Sequence, residues 1–238
     1  MRHARAVDLS GITDPAARTV IEGFFDACEA PLGRIRNRTG KKVPVTIGDL
    51  SRFLNSMDEN GHGHLHNEDT GEHGHLLGVP EVHVQAQAPG IKQAINRRQA
   101  LGVFWLPTPD TPAGRIEVDR TITGDAALTR EVVGAEFAHA FDYGAVNPKQ
   151  RAALYRLMHD TPSSDVDPST IPAEMPDPEA WFEGHPGGYW SWPGERFMGL
   201  FCAAYAPSLP RPLEARQPWK HQYDAGDVVK ARTILRRP

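Results

Sequence analysis

The chain has 238 residues, 39% of them hydrophobic, which is enough for one ordinary core, and a single domain spanning 1–238 is expected. A formal charge of −4 with no Lys/Arg-rich stripe excludes a phosphate-binding surface, because nucleic-acid affinity rests on clustered cations, and the basic tail at 232–237 is too short to change that. No apolar run approaches the roughly 20 residues that cross a bilayer, the start MRHARAVDLSG has no apolar stretch behind its charges, and Cys28 and Cys202 make no disulfide framework; the expectation is a chain with no signal peptide, made in the cytoplasm.

In chain order, Asp14-Pro15 followed by Val20, Ile21, Phe24, Phe25 and Cys28 predicts an amphipathic helix that Pro31-Leu32-Gly33 ends. A short strand is predicted over residues 43–47, and Asp49 is placed to cap a helical turn through Phe53 and Leu54. Residues 55–78 are Gly, His, Asn and acid with almost no apolar periodicity, and read as an exposed loop. Strands are expected over 81–87, 101–106 and 115–120, the last alternating Ile116 and Val118 with charged residues as an edge or half-exposed strand does. A helix follows from near Asp125 to Gly144, the glycine being read as its stop. A second helix covers 148–159, a Pro/Ser/Asp-rich surface excursion 160–178, and a final helix starts at Pro193 with Phe197, Phe201 and Tyr205 at i, i+4 and i+8. The fold class is α+β, a small mixed or antiparallel sheet packed on helices.

The chemistry concentrates in EVVGAEFAHAFDYG, residues 131–144. With histidine in place of Ala135 it would contain H-E-F-A-H, the motif that sets two imidazoles one helical turn apart on zinc with a glutamate as base. Leu128, Val132, Ala135, His139 and Asp142 share one side of the predicted helix, and Glu136 lies beside them. A core histidine near a helix C-terminus, where the dipole favours a cation, explains an isolated E-x-x-H equally well. Likewise an acid such as Glu195, in the first turn of a helix, is stabilised by the amide dipoles there.

The order of a strand at 115–120, this helix, a Gly turn and a distant glutamate in WPGERFMGLFCAAY resembles the zincin metallopeptidases, and within them the anthrax lethal factor-like group, whose third zinc ligand is a glutamate on a later helix. The residues after Glu195, with Phe197, Phe201 and Tyr205, are similar to that group's E-x-F-A-x-x-F-x-x-Y pattern. The resemblance covers residues 100–206. It implies a zincin-like fold, Glu136 as general base, His139 and Glu195 as zinc ligands, Tyr189 as the residue steadying an oxyanion, and a peptide laid along 115–120. Ala135 departs from the pattern at the first ligand. A catalytic zinc has three protein ligands and a water whose pKa it lowers to about 7, so the zinc expected of the family is absent or weakly bound here and hydrolysis fails.

In GHGHLHNEDTGEHGH, alternate residues of an extended chain face one way, so His62, His64, His66, His73 and His75 are candidates for a second metal site, against the plainer reading of a polar surface. Two functions follow. One is a catalytically impaired metallopeptidase-like protein serving as a structural or binding component of a larger assembly, such as a phage virion, with protein partners and neither nucleic acid nor a membrane span. The other is an active zinc-dependent peptidase, or an engineered inactive form of one, with Glu136 as base.

Overall fold

The computed structural model describes residues 6–27, 34–56, 62–67, 72–79, 99–160, 193–205 and 223–236. In chain order they form β1 (Val7–Asp8), α1 (Pro15–Ala27), α2 (Arg34–Thr39), β2 (Val43–Gly48), a 3-10 turn (Ser51–Ser56), β3 (His62–Asn67), β4 (Glu72–Val79), β5 (Gln99–Trp105), β6 (Arg115–Asp119), α3 (Ala126–Ala145), α4 (Pro148–Asp160), α5 (Pro193–Tyr205) and α6 (Ala225–Arg236). The class is α+β, as the sequence predicts. The six strands make one mixed sheet in the order β1-β2-β6-β5-β4-β3. Its β1/β2 and β2/β6 pairs are parallel and the rest antiparallel.

Alternation along the central strands sorts side chains between two cores. Val43, Val45, Ile116, Val118 and Phe104 join the main core, with Phe24 and Phe25 of α1 and Phe137 and Phe141 of α3. Val103 and Trp105 point the other way into a small cluster with Leu50 and Ala100, which Phe53 of the 3-10 turn covers edge-on, 5.5 Å from Trp105. Asp49 caps that turn as expected, accepting from the Ser51 amide at 3.0 Å. Asp14 caps α1 through the Ala16 amide at 2.8 Å, and Ile21, Phe24 and Phe25 are buried as its periodicity predicts.

Three expectations change. The strand over 115–120 is neither an edge nor half-exposed: β6 lies between β2 and β5, with Ile116 through Asp119 buried. Its charges mislead because they are satisfied inside. Glu117 accepts from Trp105 Nε1 at 2.9 Å and from Arg115 Nη1 at 2.8 Å, and Asp119 accepts from the Leu50 amide at 2.8 Å. Over 116–118 both edges of β6 are already paired, so a peptide has no free strand edge to join there.

The exposed loop read over 55–78 contains β3 and β4, because a backbone ladder needs no apolar periodicity. Glycine there makes room: a Cβ at Gly74 would lie 2.7 Å from Val103 Cγ2. Nor does Gly144 stop α3, which runs on to Ala145 with Val146 as C-cap. Its missing side chain serves close packing instead, since a Cβ there would meet Ile35 Cγ2 of α2 at 2.8 Å.

Two helices escaped the sequence reading. In α2, Arg34 donates to the carbonyls of Ala145 and Leu235, and Arg38 donates to that of Val146, so α2 caps the C-terminal ends of α3 and α6. In α6, whose last residues fall in the basic tail read over 232–237, the Asp227 amide donates to Asp224 Oδ1 at 2.9 Å while Ala231 and Leu235 are buried at i, i+4 spacing. The strand expected at 81–87, the excursion beyond Asp160 and the segment with Cys28 and Pro31-Leu32-Gly33 lie outside the described residues.

Candidate functional site

Asp125 starts α3 by accepting from the amides of Ala127 and Leu128, both at 3.0 Å. The helix is not amphipathic in the simple sense. Residues from Leu128 to Ala145 are buried on nearly every side, as expected of a helix enclosed by neighbours. Phe137 packs edge-on against Phe25 at 5.0 Å, and Phe141 meets Phe201 of α5 at 5.0 Å. That is the side turned to α1 and α5.

The opposite side carries the candidate chemistry. Val132, Glu136, His139 and Tyr143 are spaced i, i+4, i+7 and i+11 and so form one stripe. Val132 and Glu136 lie under Gly102 of β5: a Cβ there would be 2.5 Å from Val132 Cγ1 and 3.0 Å from Glu136 Oε1. At the other end of the stripe Tyr143 meets Phe104 with ring centroids 5.6 Å apart. Burial, and after it the Asp142 carboxylate, pushes the Tyr143 phenol above its ordinary range, so the hydroxyl stays neutral. His139 therefore sits between two residues pressed on β5. It is 4% exposed and Glu136 1%.

Ala135 is buried one turn before His139. Asp142, fully buried, is held by Arg151 of α4 through Nη2 at 2.8 Å and Nε at 3.2 Å. A charged partner from α4 thus fixes the flank of α3 next to His139.

Glu195 lies in the first turn of α5, and its side chain is outside the described ones. Phe197, Phe201 and Tyr205 are buried, with successive ring centroids 5.9 and 5.2 Å apart. Phe201 also meets Phe137. The aromatic pattern read after Glu195 is thus a packing seam against α3. Position 195 falls about 200° around the helix from Phe197, off that seam and in line with the part-buried Gly199 and Cys202. Tyr189 lies outside the described residues. His62, His64 and His66 are on β3, and His73 and His75 on β4.

Zinc does not fit the donor set described at α3. A methyl stands where the first imidazole would, leaving His139 beside Glu136, and among the described residues no cluster of three or more His, Cys, Asp and Glu can hold a metal ion. Sequence reasoning missed Gly102, Arg151 and Tyr143 around this stripe. Gly102 carried a readable signal, a glycine inside an apolar strand, which marks close approach of another element. Among the described residues no helix is long and apolar enough to cross a membrane. No family model, curated protein or solved structure matches the chain.

Proposed function

We propose that the chain is a zincin-like scaffold that has lost its metal chemistry and serves as a structural or binding component of a larger protein assembly. The observation that carries this reading is the state of the α3 stripe: alanine at 135, one turn from His139, with Glu136 buried against Gly102. A general base needs its proton-accepting oxygen within hydrogen-bond reach of the nucleophile. With no lone pair at 135, a water beside Glu136 keeps a pKa near 15.7, out of range of a carboxylate. The strand–helix order from β6 to α3 supports the kinship; α5, which carries Glu195, packs on the side of α3 opposite the His139 stripe and lends it no support. The buried aromatics and the capping arginines of α2 support a helix kept for shape.

A phage virion is one assembly that suits such a component. The test is turnover of a mixed peptide library by the purified chain, with and without added Zn²⁺. The proposal expects no cleavage in either condition. Chelator-sensitive cleavage that disappears in Glu136→Gln would return the protein to the active peptidases.

A further inference from the structure

One face of the β3–β4 hairpin is built from histidine positions. Directly opposed residues share a face, and alternate residues return to it. The pairs His64↔His75 and His66↔His73, with His62 one step along β3 opposite Leu77, therefore all fall on a single face. Gly63, Leu65, Gly74 and Leu76 take the other, where Gly74 accommodates Val103 and Trp105. The pairing His75↔Phe104 continues the histidine face into the side of the sheet that carries Gly102 and Phe104 and is packed by α3. Of the chain's 11 histidines, five stand at these positions, a concentration that strand propensity does not explain, since β-branched and aromatic hydrophobic residues are the preferred strand formers.

We propose that this face is a site for a divalent transition-metal ion of the zinc class, on the strength of the juxtaposed pairs His64↔His75 and His66↔His73. Neutral imidazole suits Zn²⁺, Ni²⁺ and Cu²⁺. Opposed positions are about 4.5–5.5 Å apart at Cβ and alternate positions about 6.6 Å apart along a strand, so the register sets four histidine positions at the corners of a small rectangle on one face. The ladder to β5 holds the hairpin backbone, and the metal need not supply the ordering of the strands. The site is independent of the α3 reading, because Ala135 neither helps nor hinders it.

The full chain, stripped with a chelator, is titrated with Zn²⁺ by equilibrium dialysis alongside His64→Gln/His75→Gln and His139→Gln. The original chain is expected to take up about one zinc, the hairpin variant to bind at least about 100-fold more weakly, beyond the loss typical of a second-shell change, and His139→Gln to match the original. X-ray absorption of the zinc-loaded original chain needs no variant to fold, and should show three or four nitrogen donors at about 2.0–2.1 Å with imidazole scattering. No zinc uptake, fewer than three nitrogen donors in the absorption spectrum, or affinity unchanged in the hairpin variant would overturn the proposal. Zinc lost in His139→Gln but retained in the hairpin variant would also overturn it, and would separately contradict the metal-free reading of α3.

Discussion

Replacing Gly102 with alanine tests how closely α3 is pressed on β5. The added methyl would sit 2.5 Å from Val132 Cγ1, 3.0 Å from Glu136 Oε1 and 3.1 Å from Glu136 Cγ, where relaxed carbon contacts lie at about 3.5–4.0 Å. Glu136 can give a little at its far end, but Val132 is β-branched and rooted in a helix buried on nearly every side. Overpacking of this kind costs about 1–3 kcal/mol. The smaller conformational entropy of alanine in the unfolded chain offsets about 0.4–1 kcal/mol. The net expectation is a loss of about 1–2 kcal/mol. In urea unfolding the midpoint should fall with an unchanged slope. Gly124→Ala is the control: nothing lies within 4 Å of its Cβ, so it should be neutral or slightly stabilising. Adding Val132→Ala to Gly102→Ala should give a coupling of opposite sign to the clash, since the smaller side chain accepts the methyl. A Gly102→Ala protein as stable as its parent, with no coupling to Val132, would refute the close packing on which the burial of Glu136 rests.

Arg151→Met leaves the Asp142 carboxylate buried without its guanidinium and should cost about 3–5 kcal/mol, read as a large drop in the unfolding midpoint; a change under about 1 kcal/mol would mean that the pair does not hold α3 to α4. Tyr223 is pushed up to about 12 by burial. Its folded value lies above the unfolded one near 10, so its contribution is intact below about pH 10 and is lost as pH rises toward 12, a change of about 3 kcal/mol. Tyr223→Phe should lose about 1 kcal/mol at neutral pH with the hydrogen bond to the Arg196 carbonyl, yet fall less steeply than the parent in alkaline unfolding; parallel curves would contradict the assignment.

Where local signals set the backbone, the sequence was readable. The Asp14 and Asp125 caps, the i, i+4 aromatics of α1 and α5, and the apolar core of β5 are periodic or chemically marked, and the elements lie where those marks place them. What was hidden depends on partners distant in sequence. Glu117 reads as a solvent-facing residue until Trp105 and Arg115 are placed around it. The histidine hairpin has a period of two, but its polar face concealed a strand whose ladder comes from β5. Arg34 looks like a surface cation, yet it reaches carbonyls more than a hundred residues away, in α3 and α6. At the candidate site, Glu136 and His139 could be placed on one helix side by spacing alone, whereas their burial against β5 required the fold.

If α3 keeps a zincin-type helix with its first ligand missing, as we propose, zinc per chain in the protein and in Ala135→His after identical dialysis reports it most directly. Histidine at 135 would set two imidazoles at i and i+4 on one helix face, the spacing that tetrahedral zinc accepts. Both proteins share any zinc held by the hairpin, so the difference between them reports α3 alone. Ala135→His is expected to hold about one zinc more per chain than its parent. Equal zinc in the two proteins would contradict it.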